Sequence, residues 1–241
     1  MQPKSMAKTI DEISVFLPTY NEEQNIKTVA LKVQDVLEKV AGRWELIIVD
    51  DGSSDLTRES AIGLVRSDAR IRLISHKQNR GYGAALKSGF YNARFKWISF
   101  IDSDGQFDFS EIVNFIEKQK ETNADLVIGY YKKRQVSAFK KVTSKIWELA
   151  VFVLFGLKVK DIDCGFKLIR KEVIDAIPKL ESERGAFISS ELLIKAKKKG
   201  FKIVEIPVTH YPRIKGKGTG RNINVIIKSF VDLIRLWKKL R

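Results

Sequence analysis

Hydrophobic positions along the N-terminal half alternate between two spacings. Residues 13–18 (ISVFLP) form a short, β-branched apolar run, the pattern of a buried strand. Over 21–40 the apolar residues Ile26, Val29, Val33, Val36, Leu37 and Val40 recur at helical spacing. Glu22 and Glu23 are expected in that helix's first turn, where the helix dipole favours acids. Residues 44–50 (WELIIVD) read as a second strand ending in the turn cluster DDGSSD. A helix over 57–66, a third strand over 71–76, a Gly/Ala-rich helical stretch and a fourth strand, WISFID, follow. Ser110 is expected to cap a helix with Ile112, Phe115 and Ile116 on one face, and 124–130 to form a fifth strand.

Strands alternating with helices predict an α/β fold, a mostly parallel twisted sheet with helices on both faces. Such sheets bind ligands beyond the carboxyl ends of their strands. Each strand here is followed by a polar or Gly-rich cluster: Pro18 to Glu22, Asp50 to Ser53, Asn79 to Gly83, and Asp102 to Gln106. Their convergence on one edge predicts a site there. The C-terminal half breaks the rhythm. A basic segment over 132–145 precedes the apolar stretch 146–157, for which core burial is the simplest reading and contact with a membrane surface the alternative. DIDCGFKLI, helical EVIDAI and SSELLIKAKKKG, and a late strand over 201–208 come next. The loop RIKGKGTGR, with three glycines and four basic residues, leads to a last helix. The expected division is a catalytic domain over 1–220, with a nucleotide-binding half (13–130) and an acceptor-side half (131–220). A C-terminal amphipathic basic helix over 221–241 follows.

Composition narrows the function classes. The single cysteine, Cys164, excludes an internal disulfide framework. The first 14 residues have no apolar stretch of signal-peptide length. The longest apolar run, LAVFVLFGL (149–157), is half the ~18 residues of a membrane span. The expected location is cytoplasmic. The net charge of +15 implies an anionic partner: nucleic acid, anionic lipid or a phosphorylated small molecule. Residues 201–241 hold ten Lys/Arg against Glu205 and Asp232, so the surplus is concentrated there. No nucleic-acid-binding motif is present, which sets aside a nucleic-acid partner.

Asp102 and Asp104 lie two apart at a strand end, a spacing that in extended chain puts both side chains on one side. Two such carboxylates repel unless a cation joins them. With Gln106 as a third oxygen donor they suit Mg²⁺ or Mn²⁺, which take oxygen ligands and bridge carboxylates to substrate phosphates. A solvated turn with helix-capping acids is the plainer alternative. For Asp50 and Asp51 ordinary turn chemistry competes with carboxylate recognition of a base or ribose. NRGYGAALKSG matches neither GxGxxG nor GxxxxGK[ST], so neither a dinucleotide site nor a P-loop is supported.

Together, VFLPTYNEEQNI, VDDGSSDLT, NRGYGAALKSGF and FIDSDGQFD resemble, in order and spacing, family 2 glycosyltransferases with the GT-A fold. DIDCGFKLIRKEVI, SSELLIKAKKKGFKIVEIPVTHYPR and GKGTGR look like the branch around dolichol-phosphate mannose synthase and the bacterial polyprenyl-phosphate glycosyltransferases. The resemblance covers about 13–225. It implies an inverting, metal-dependent transfer of a hexose from a nucleotide sugar (GDP-mannose, UDP-glucose or UDP-GlcNAc) to a polyprenyl phosphate. It implies that Pro18, Tyr20 and Glu22 form the first nucleotide-contacting segment. Asp50 and Asp51 match acids near base and ribose, and Asn79, Gly83 and Lys87 a loop lining the nucleoside. Asp102, Asp104 and Gln106 match the metal ligands, with Asp104 also approaching the sugar phosphate. Arg213 matches a basic residue that closes over phosphate, in one loop with Lys215, Lys217 and Thr219. Glu191 sits where a carboxylate often faces the sugar.

The chain departs from that pattern in two places. Gly129-Tyr130-Tyr131 replaces Gly-Ser-Arg, leaving Lys132, Lys133 or Arg134 to hold acceptor phosphate. Lys167 replaces an arginine, keeping the charge without the bidentate fork. A lipid-phosphate acceptor is already anionic and needs positioning more than a base. A saccharide or protein hydroxyl, the alternative acceptor, needs a base, with Asp163 or Glu191 as candidates. His76 and His210 read as structural. The last helix places Ile223, Ile226, Ile227, Phe230, Ile234 and Trp237 on one stripe with Lys228, Asp232, Arg235 and Lys239 opposite. Such a helix either docks on an anionic membrane surface or packs on its own domain.

Overall fold

The computed structural model describes residues 9–132, 138–183, 185, 187–213 and 223–240. Alternate side chains of strand β1 (Ile10–Thr19) go to opposite faces of the sheet, as a strand's period of two requires. Ile13, Val15 and Leu17 join one apolar cluster and Phe16 the other. The first cluster packs under helices α1 (Ile26–Val40) and α4 (Ile112–Thr122). The second holds Phe16 against Phe90 and Phe100, with ring centroids 5.0 and 5.1 Å away. Helices α3 (Tyr82–Asn92), α5 (Ala138–Phe155) and α7 (Phe187–Lys198) cover that face.

Strands β2 (Ala41–Asp50), β3 (Ile71–Ser75), β4 (Trp97–Phe100), β5 (Leu126–Tyr131), β6 (Lys167–Arg170) and β7 (Ile203–Val208) complete one seven-stranded sheet. Its order is β3-β2-β1-β4-β6-β5-β7. All neighbours pair in parallel except β6, which runs antiparallel to both β4 and β5. The expected mostly parallel sheet is therefore present. The reversal of β6 has a consequence for the site. Lys167 pairs with Phe100 and Ile128, so the segment before β6 enters at the carboxyl edge of the parallel strands. Gly165, in the segment before β6, thus packs against Asp102 of the cluster that follows β4.

Several local expectations are corrected. The first helix starts at Ile26, not at Glu22, because Asn21 has φ +54° and a turn spans 23–25. Ser110 is not a cap. Asp108 accepts from the Ser110 N–H and starts a 3₁₀ turn before α4. Core burial of 146–157 holds only for one side of α5. Val151 is buried, but Ile146, Leu149, Phe152 and Val153 are 52%, 60%, 48% and 71% exposed.

Helix α8 (Ile223–Leu240) packs on the domain through Leu233 and Leu236, and Phe230 meets Trp147 edge-on at 5.0 Å. Its packing face is rotated from the expected stripe. Ile234 is 49% exposed, while the side chains of Ile223, Ile226 and Ile227 lie outside the described residues. Helices α2 (Thr57–Ser67) and α6 (Lys171–Ala176) complete the two outer layers.

Candidate active site

The turns after β1 and β2 are laced together. Asn21 N–H donates to Ser53 Oγ, and Asn21 Oδ1 accepts from Ser54 N–H at 2.8 Å. Glu22 N–H donates to Thr57 Oγ1, also at 2.8 Å. The Glu22 carboxylate accepts from Asn25 Nδ2 at 2.7 Å. Pro18 offers its carbonyl to Ser103 Oγ, fastening β1 to the acidic cluster, and Tyr20 stays exposed. Asp50 is buried. Burial pushes its carboxyl up, but hydrogen bonds from Ser53 and the Arg58 guanidinium outweigh this and hold it below the usual range. Turn chemistry therefore accounts for much of Asp50.

Asp51 anchors the Gly-rich loop. It accepts from the backbone N–H groups of Arg80 (3.0 Å) and Gly81 (2.7 Å). The buried His76 ring lies between Asp51 (2.6 Å) and Ser88 of α3 (2.8 Å). This is the structural role expected of His76. Tyr82, which opens α3, donates its O–H to Asp102 at 2.8 Å. Gly83 is buried where a Cβ would come within 2.7 Å of the Ser182 carbonyl, so only glycine lets the 181–183 segment pass. Asn79 is exposed beside this loop.

Asp102 faces this loop from just beyond β4, and Asp104 follows two residues on. Burial and the Asp104 charge together push the Asp102 carboxyl up to about 7. Gln106 N–H donates to Asp104 Oδ1, and the Gln106 side-chain amide donates to the Tyr211 carbonyl. Tyr211 N–H returns to the Gln106 carbonyl at 2.9 Å. This pairing carries Arg213 into the site, where its guanidinium meets Glu22 and stands 3.7 Å from Asp104. Crowded carboxylates answered by a guanidinium mark a place that demands positive charge. The donor set consists of hard oxygens, and it fits Mg²⁺ or Mn²⁺.

The crowding has a measurable consequence. A carboxyl whose folded-state pKa is raised stabilises the fold at low pH and loses that contribution as pH rises through the folded value. Here the loss runs from about 4 to about 7. Asp102→Asn keeps an oxygen for Tyr82 and removes the charge. In EDTA its melting temperature is expected to exceed the parent's by several degrees at pH 8, with the gap narrowing at pH 5. Thermal melts at the two pH values check this; a gap that is constant with pH refutes the crowding.

Three expected site residues have other settings. Lys167 does not face the site surface. It is fully buried, its ammonium donates to the Cys164 carbonyl and lies 5.5 Å from the Phe100 ring, and burial lowers its pKa. Lys87 is paired with Glu183 at 2.8 Å, as is Arg80. Glu191 is buried, and both its oxygens are taken. They accept from the Glu181 and Ser182 N–H groups at 2.9 Å and from Lys195 Nζ at 2.5 Å. Its setting is that of a staple for the 179–183 segment. Arg134, Lys215, Lys217 and Thr219 lie outside the described residues, as does Lys133. Tyr82 and Gly165 were not singled out by the sequence. An aromatic residue inside a Gly-rich loop was the available signal for the first.

The sheet order, the reversed β6 and an acidic cluster at the carboxyl edge define a GT-A nucleotide-sugar fold. The model of the family described as Glycosyl transferase family 2 matches residues 14–177, and the chain belongs to that family. It is 31% identical over 221 residues to dodecaprenyl-phosphate galacturonate synthase of Rhizobium johnstonii, covering 90% of this chain and 64% of that protein. It is 31% identical over 222 residues to dolichyl-phosphate beta-glucosyltransferase of Saccharomyces cerevisiae, covering 82% of this chain and 66% of that one. The chain thus spans just under two thirds of the length of these curated relatives. Among solved structures, glucosyl-3-phosphoglycerate synthase from Mycobacterium tuberculosis is similar in fold. Its complex with Mn²⁺, UDP and glucosyl-3-phosphoglycerate superposes with a TM-score of 0.69 at 21% identity, covering 95% of this chain and 80% of that one.

Proposed function

We propose that this chain transfers a hexose, with inversion, from a nucleoside diphosphate sugar to a polyprenyl phosphate at a membrane surface. The observation that carries the reading is the meeting of Asp104, Glu22 and Arg213 at the carboxyl edge of the sheet. A guanidinium beside two carboxylates is placed to exchange partners with phosphate, for which its planar fork is suited. The names of the curated relatives support a polyprenyl-phosphate acceptor, and the Mn²⁺ and UDP of the similar structure support the donor class. Asp102, Asp104 and the Gln106 side chain are the residues that would hold Mg²⁺ or Mn²⁺. When bound, the ion would supply positive charge against the departing nucleoside diphosphate.

The state of Glu191, one of the two candidate bases, favours an acceptor that is already anionic. Glu191 is buried with both carboxylate oxygens bonded, while Asp163, the other candidate, is exposed. A phosphate acceptor requires no deprotonation by either. The exposed apolar ridge of α5 supplies a lipid-facing surface, and Val231 and Ile234 of α8 are exposed as well. Lys145, Arg235, Lys238 and Lys239 are exposed on the same two helices. Anionic lipid adds about 1 kcal/mol per nearby basic residue. Among the described residues no helix is long and apolar enough to cross a membrane. The finding that α8 packs through Leu233 and Leu236 shifts the expected docking surface toward α5.

The test uses the full chain with Mn²⁺, a panel of GDP-mannose, UDP-glucose and UDP-GlcNAc, and undecaprenyl phosphate in anionic vesicles. One donor is expected to give a lipid-linked sugar. Leu149→Glu with Val153→Glu is expected to abolish vesicle co-sedimentation and to cut transfer to the long-chain lipid tenfold or more. Transfer to a short water-soluble isoprenyl phosphate should persist. Transfer to a saccharide hydroxyl, with none to either phosphate, overturns the acceptor assignment.

A further inference from the structure

The hydrogen bond from Tyr82 to Asp102 joins two clusters that the sequence keeps 20 residues apart. The phenol's own position is fixed on both sides. Upstream, Arg80 and Gly81 are held by Asp51, and Gly81 takes φ +105°, a left-handed conformation that favours glycine. Downstream, Ser88 of the same helix is held by His76, which is itself held by Asp51. The other oxygen of Asp102 is confined by the segment that precedes β6. A Cβ on Gly165 would stand 2.5 Å from Asp102 Oδ2, so the carboxylate packs against bare backbone there. Without such a clamp, Asp102 would swing away from the like charge of Asp104.

We infer that Tyr82 is a positioning residue, holding Asp102 in the orientation at which Asp102 and Asp104 receive a divalent cation together. The inference rests on the reading of these two acids as cation ligands. It also ties cation binding to the Gly-rich loop, because that loop carries the phenol. A residue that orients a metal ligand through a hydrogen bond changes metal affinity by about 10- to 100-fold when removed.

The variant is Tyr82→Phe, which keeps the ring. Binding of Mn²⁺ alone, followed by the paramagnetic resonance signal of the free ion, is expected to weaken about tenfold. The melting temperature in EDTA should stay within about 2 °C. In assays the kcat deficit should shrink as Mn²⁺ is raised to saturation, a KM effect that a merely structural role would not produce. Gly165→Ala provides a second route, since its methyl displaces Asp102 with Tyr82 intact, and it should weaken Mn²⁺ as well. If the parent binds Mn²⁺ and Tyr82→Phe binds it equally well, the positioning role is wrong while the cation site stands. If the parent binds no Mn²⁺, the reading of the acids falls and the inference falls with it.

Discussion

Asp104→Asn is expected to lower sugar transfer by about 10³-fold or more while leaving the melting temperature in EDTA within about 2 °C of the parent's. Charge compensation by a cation at a departing phosphate is worth several kcal/mol, and each 1.36 kcal/mol is tenfold in rate. The structure explains why the fold tolerates the change. Asp104 Oδ1 accepts from the Gln106 N–H, and the asparagine oxygen can do the same. Its other oxygen faces Arg213 at 3.7 Å across a partly solvated gap, a contact of small net worth to stability. Removing the charge also relieves Asp102, whose carboxyl is raised partly by Asp104. Initial rates at saturating Mn²⁺, set beside thermal melts, decide the matter. Retained turnover in this variant would remove Asp104 from the mechanism, and a large fall in melting temperature would make it a structural acid.

The parts of the fold that were legible in the sequence are those written in local periodicity. Strands β1 to β5 and the helices between them follow apolar spacing, and their order predicted the site's edge. The ends of elements were less legible because side chains compete there. Asn21 with positive φ delays α1, and Asp108 takes the capping role expected of Ser110. The reversal of β6 was not legible, because strand direction is set by its partners β4 and β5 and not by the residues of KLIR.

The same distinction applies to the site. Asp102, Asp104, Gln106, Glu22 and Arg213 were named from motif and resemblance, and the structure brings them to one edge. Lys167 was expected at phosphate because it takes the place of an arginine in the family pattern and keeps its charge. Its place in β6, between two central strands, carries the side chain into the core. The solvent-facing side of α5 was hidden for the opposite reason. A helix that is apolar all round looks buried, and only the packing of its neighbours shows which side is left uncovered.

Glu191→Gln is expected to destabilise the protein by about 3–5 kcal/mol, the cost of leaving a buried charge without its counter-charge. For a chain of this size that corresponds to roughly 10 °C in melting temperature. Lys195 is almost fully buried, and among the described residues its ammonium donates to Glu191 and the Lys179 carbonyl. A glutamine presents an NH₂ group where the carboxylate accepted from the Glu181 and Ser182 N–H groups, so one donor loses its acceptor. The freed 179–183 segment lies against Gly83, and its Glu183 pairs with Lys87 and Arg80, so donor binding should weaken along with stability. A catalytic Glu191 would behave in the opposite way, with turnover collapsing and the melting temperature unchanged. Pairing Glu191→Gln with Lys195→Met sharpens the choice. Removing both charges should restore much of the lost stability, because the buried ammonium is gone. Recovery of the melting temperature together with transfer in the double variant would mark the pair as structural. Recovery of the melting temperature with transfer still absent would return Glu191 to the reaction.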